Sequence, residues 1–120
     1  PAGRIYLDGN VFIPDGASPV RERRKLSYAG AVFVSLVLDS KQRLSREIGV
    51  DGFGVVHGDE DNERGLNDLA EDIEDAVMSI AASKRKDDDA VELVVKRAVR
   101  LYFDAVWGKR PVISTAIHRV

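Results

Sequence analysis

The sequence contains no cysteine. Disulfides, thiolate metal sites and cysteine nucleophiles are therefore excluded, and the composition fits a reducing compartment, with the cytoplasm as the expected location. Histidine occurs only at His57 and His118, too few for a three-histidine zinc site or a His-x-His-x-Asp-His cluster, so metal-assisted hydrolysis by these residues is not expected. No serine lies in a Gly-x-Ser-x-Gly context, and a hydrolase elbow is unsupported. No apolar run approaches the roughly 20 residues that cross a bilayer, and the chain opens without a basic-then-apolar leader, so no membrane contact is expected. Its start at Pro1 rather than methionine suggests a piece of a longer protein.

What is present is enough for one core. A length of 120 residues with 44% hydrophobic content predicts a single domain over 1–120. The net charge of −2 hides a segregation: residues 1–58 sum to +2, residues 59–83 to −8 and residues 84–120 to +4. A protein that offered its whole surface to a polyanion would be basic throughout, so any such contact must be confined and must avoid the middle segment.

The local pattern predicts an α+β fold in the order β-β-β-α-α-β, a small mixed β-sheet covered by two antiparallel α-helices. Ile5-Tyr6-Leu7 and Val11-Phe12-Ile13 flank the turn-forming Asp8-Gly9-Asn10, which reads as a hairpin or bulged strand. Asp15 to Pro19 breaks the chain, and Arg21 to Tyr28 makes two short helical turns ending at Gly30. Ala31 to Leu38 is valine-rich and almost wholly apolar, the pattern of a strand buried on both faces, and Ile48 to His57 is a further strand bent at its glycines. Leu66, Leu69, Ile73, Val77 and Ile80 recur at helical spacing, with Asp61 or Asn62 as N-cap. Ser83-Lys84-Arg85-Lys86 reads as a solvated loop whose cations face the negative end of that helix, and Asp87-Asp88-Asp89 opens a second helix to about Trp107. Gly108 and Pro111 stop it, and Val112 to Val120 is the last strand.

The second helix is apolar around much of its circumference. Val91, Val94, Val95, Ala98, Leu101, Tyr102 and Ala105 make one stripe, and Val99, Phe103, Val106 and Trp107 continue it sideways beyond what one helix and a small sheet can cover. Those last four residues are the candidate interface, and a homodimer is the simplest partner arrangement. For chemistry there is little. His57 with Asp59 is a weak metal or acid/base pair, more simply an exposed strand end, and His118 reads as an edge residue. Asp51-Gly52-Phe53-Gly54 lacks the downstream glycine and Gly-Lys-Ser/Thr of a phosphate loop, and three aspartates at a helix start are dipole-complementing charges before they are a cation site. The basic run Arg21, Arg23, Arg24 and Lys25, with Tyr28 nearby, is the candidate RNA-contacting segment, expected to bind weakly and with salt sensitivity, although a solvated helical turn, or arginines that pair with the acidic first helix, is the simpler reading. No residue is assigned a catalytic or metal-binding role.

Taken together, Val20-Arg21-Glu22-Arg23-Arg24-Lys25-Leu26, then Gly30 and the strand to Asp39, two helices, and Gly108-Lys109-Arg110-Pro111-Val112-Ile113 resemble the C-terminal domain of the ribonuclease J family. The likeness spans nearly the whole chain and rests on Arg23, Arg24, Leu26, Gly30, Arg110 and Pro111. Where family members commonly carry Ser-Arg-Gly-Phe before the third strand, this chain has Val50-Asp51-Gly52-Phe53, keeping Gly-Phe without the arginine. The resemblance implies a parent exo/endoribonuclease in which a metallo-β-lactamase domain with a β-CASP insertion holds two zinc ions, and a small accessory domain that carries no cofactor itself. Such a domain is expected to support oligomerisation or to dock onto the catalytic domains, with RNA or another RNA-degrading protein as alternative partners.

Overall fold

The valine-rich run Ala31–Leu38 forms a strand, as its β-branched content dictates, and it becomes the centre of a three-stranded sheet. The computed structural model describes residues 5–9, 11–14, 18–56 and 62–120. Along them run β1 (Ile5–Asp8), β2 (Val11–Pro14), α1 (Ser18–Ala29), β3 (Ala31–Leu38), β4 (Gly49–Phe53), α2 (Asn62–Ser79), α3 (Ala82–Arg85), α4 (Asp88–Val106) and β5 (Val112–Arg119). The fold is α+β. β1 and β2 form an antiparallel hairpin, with Gly9 at a φ of 59° after β1. In the main sheet the order is β4-β3-β5, with β4 antiparallel to β3 and β5 parallel to it from Ala31↔Val112 to Leu38↔Arg119.

The core lies on one face of this sheet. Val32, Val34, Leu36 and Leu38 alternate inward from β3 and meet Leu69, Ile73 and Val77 of α2 and Val91, Val95, Val99 and Phe103 of α4. Four-residue steps keep each helical set on one stripe. Beyond the buried Ala31 the opposite face of β3 is open: Phe33 and Ser35 are exposed and Val37 is half-buried. The expectation of a strand buried on both faces is therefore corrected, because both long helices pack on the same side.

Four local expectations also change. The two helical turns are a full helix, α1, which opens on Ser18-Pro19; proline fits a first turn, where its missing N–H has no partner to lose. The presumed solvated loop contains the short helix α3, and Arg85 is buried with 8% of its surface accessible. On α4, Leu101 and Ala105 face solvent, whereas Val99 and Phe103 are fully buried. Leu101 stands about 200° around the helix from Val99, so one stripe cannot hold both. At its start, Asp87 accepts a hydrogen bond from the Asp89 N–H at 3.0 Å, and at its end Gly108, with φ of 83°, donates to the Phe103 carbonyl at 2.8 Å. The strand expected to reach His57 ends at Phe53, and His57, Asp59 and Asp61 lie outside the described residues.

Candidate functional site

Two surfaces stand out, one at the end of α1 and one on a face of the sheet. Gly30 closes α1 by donating to the Leu26 carbonyl at 2.8 Å, and its own carbonyl accepts from the Val112 N–H at 2.9 Å, the first step of the β5 pairing. The end of α1 is thereby held beside the connection from α4 to β5. Lys109 of that connection donates to the Tyr28 carbonyl at 3.3 Å. Its ammonium lies 4.5 Å from the centre of the Tyr28 ring and 5.3 Å from that of Trp107.

A basic cleft results. Arg24, Lys25 and Tyr28 line one half with Lys109 and Arg110, and Lys25 and Arg110 continue into an adjoining half with Lys96 and Arg100 of α4. Arg110 makes a forked pair with Asp104, Nε to Oδ1 at 3.2 Å and Nη2 to Oδ2 at 3.1 Å, both side chains being largely solvated. Of the candidate basic run, Arg24 and Lys25 line the cleft; Arg21 and Arg23 are exposed on α1 but do not. Sequence reasoning missed Lys96, Arg100, Lys109 and Arg110 as members. The four-residue spacing of Lys96 and Arg100 was a usable signal, but only the folded chain sets them beside Lys25 of α1.

The second surface is the uncovered side of the sheet. In-register pairing sets Phe53 beside Ala31, Asp51 beside Phe33 and Gly49 beside Ser35, with Ser114, Ala116 and His118 across on β5. Phe33 and Phe53 meet edge to face, ring centres 5.7 Å apart, yet keep 47% and 63% of their surface accessible. Beside them lies a shallow row of Gly49, Ser35 and Ala116, and the side-chain oxygen of Ser35 already fills the space a larger residue at 49 would need. The candidate interface on α4 does not form such a surface. Val99 and Phe103 are inside the core, while Val106 and Trp107 are half-buried, Trp107 lying edge-on to Phe103 with ring centres 6.2 Å apart. For Val99 and Phe103 that expectation is corrected, since the core covers both, and the exposed aromatic residues of the sheet are Phe33 and Phe53.

The aspartate run is accounted for structurally at two positions, Asp87 as cap and Asp88 as partner of Arg119 at 2.7 Å. His118 is exposed on β5. Among the described residues no group of three His, Cys, Asp or Glu side chains converges as a metal site, and no helix is long and apolar enough to cross a membrane.

Comparison with known proteins adds two findings. The family model described as the ribonuclease J C-terminal domain matches residues 18–120. A ribonuclease J from Sinorhizobium meliloti is 40% identical over 120 residues, covering 100% of this chain and 21% of that relative. The chain thus spans about a fifth of the length of the curated relative it matches.

Proposed function

The chain belongs to the ribonuclease J C-terminal domain family, and on that premise we propose that it is an accessory domain of a ribonuclease, with the cutting chemistry located outside these residues, whose task is to hold two copies of the parent together. The observation that carries this reading is the uncovered sheet face. Half-exposed phenylalanines on a sheet lose stabilisation for as long as water covers them, about 25 cal/mol per Å² of apolar surface left accessible. Stacked sheets pack at about 10 Å, close enough for aromatic side chains of one to rest on small residues of the other.

This face complements itself. Phe33 and Phe53 project near one end, and the row of Gly49, Ser35 and Ala116 lies next to them along the strands. A twofold axis between two such faces sets the phenylalanines of each copy over the shallow row of the other, an arrangement that closes at two subunits. Sedimentation velocity of the 120-residue chain across the micromolar range tests it. A concentration-dependent rise to twice the monomer mass supports the reading. A monomer persisting at high micromolar concentration overturns it, and leaves docking onto the catalytic region as the use of this face.

A further inference from the structure

We infer that the basic cleft between α1 and the α4–β5 connection is a binding site for the backbone of a single-stranded nucleic acid. Six cationic side chains from three separate segments converge on it: Arg24 and Lys25 from α1, Lys96 and Arg100 from α4, and Lys109 and Arg110 from the connection. No carboxylate lines either half, and Asp104 grips Arg110 from outside the lining. Gathering like charges in one cleft is locally repulsive, even in a chain whose net charge is −2. A polyanion with regularly spaced charges relieves that repulsion and gains the entropy of released counterions.

The aromatic content narrows the ligand further. Tyr28 is 66% exposed at the cleft, with Lys109 against its ring and the remainder of the ring facing solvent. Phosphate-binding cations around an exposed aromatic ring are the combination that holds an unpaired strand, phosphates on the cations and a base on the ring. A duplex keeps its bases stacked inside and would leave the ring unused. The lining has no Asn, Gln, Asp or Glu to read base edges apart from the arginines, so binding tolerates sequence. The assignment does not depend on self-association, which is read by a different measurement.

The test is fluorescence anisotropy of the 120-residue chain with a labelled oligouridylate of about 12 nucleotides, within the span of known single-strand sites. Affinity should fall with salt by about 0.7 log units per log unit for each phosphate contact. Replacing Lys96 and Arg100 together by alanine should make that slope shallower by about 1.4, while the same change at Lys84 and Lys86, which line neither half, should leave it unaltered. Tyr28→Ala should weaken binding about tenfold with the slope preserved, because stacking carries no charge. An oligodeoxyuridylate binding equally assigns the site to the phosphates and ring that both polymers share, and a preference for the ribose form adds a 2′-hydroxyl contact. The proposal is overturned if the two double substitutions act alike, if no binding occurs at low salt, or if polyglutamate of equal charge competes as well as the oligonucleotide, which would make an acidic protein the partner.

Discussion

The guanidinium of Arg85 donates from Nε to the main-chain carbonyl of Gln42 at 2.8 Å, joining the β3–β4 connection to the turn between α2 and α4. Its Nη1 donates to the carbonyls of Ile80 at 2.7 Å and Met78 at 3.2 Å. Arg119 fills the same corner, bonding the Gln42 side chain at 2.7 Å and the Arg85 carbonyl at 2.8 Å. Gln42 itself holds a φ of 61°, a conformation that needs such anchoring outside glycine.

Arg85→Met keeps the apolar stem and removes the donors, leaving carbonyls that the fold has partly shut off from water. We expect a loss of about 1–3 kcal/mol, read as a lower urea midpoint with an unchanged slope. Arg85→Lys should recover only part of it, since one ammonium cannot reproduce the fork. A variant as stable as the wild type would show that water replaces the guanidinium without cost.

Two glycines with positive φ separate backbone strain from steric exclusion. Gly30 has φ of 71° and faces the carbonyls of Phe53 and Gly54, with the latter oxygen 2.5 Å from where a β-carbon would stand. Gly108 has φ of 83° with open space around it. Gly108→Ala should cost about 1–2 kcal/mol, the conformational term alone. Gly30→Ala should cost clearly more in the same denaturation experiment, because β4 must shift to admit the methyl group. Equal losses at the two positions would contradict the close approach.

The two sides of the sheet predict opposite phenotypes for phenylalanine substitutions. Phe103→Ala should destabilise the fold by about 3–5 kcal/mol, the usual cost of emptying a buried aromatic site, and calorimetry reads it directly. Phe33→Ser or Phe53→Ser should cost the fold no more than about 1.5 kcal/mol of aromatic pairing, but raise the dimer dissociation constant about tenfold or more. Sedimentation and calorimetry on one set of variants distinguish the outcomes.

Asp39 predicts a small acid dependence. Its carboxylate is held below the ordinary value of 3.8 by the N–H of Arg43 and, less strongly, that of Lys41, which donate to Oδ1 at 2.9 and 2.8 Å. A depressed folded pKa contributes stability that is present above the unfolded value of about 3.9 and disappears as pH falls through the folded one. Asp39→Asn should therefore flatten the stability profile below about pH 4 relative to wild type. Because the group is exposed, salt should shrink the difference. Parallel profiles for the two proteins would count against this contribution.

Much of the architecture was legible because periodicity reports burial. Leu69, Ile73 and Val77 announce α2, and the valines of Ala31–Leu38 announce a strand. What periodicity cannot report is which side of an element has company. Phe33 and Val34 look alike in a run of apolar residues, and only the placement of both long helices on one face exposes the first and buries the second. The same limit misplaced Phe103, which looked surplus until α2 and the sheet were seen to cover it. Arg85 was illegible for a different reason: its partners are main-chain carbonyls, which carry no sequence signal. Lys109 and Arg110 sit between the glycine and proline that end a helix, and their meeting with Arg24 and Lys25 is a product of strand pairing between distant segments.

That pairing has a consequence for how the chain is made. β3 accepts β5 in parallel along its whole length, although β4 and three helices intervene between them. As synthesis proceeds, β3 can find β4 early, but its other edge stays open until α4 and β5 have emerged. An apolar strand with an unpaired edge is a template for joining the wrong chain, and parallel pairing between distant segments is slow to form. The period of greatest aggregation risk is thus the interval between translation of Leu38 and translation of Arg119, and the strand that completes the sheet also ends the exposure.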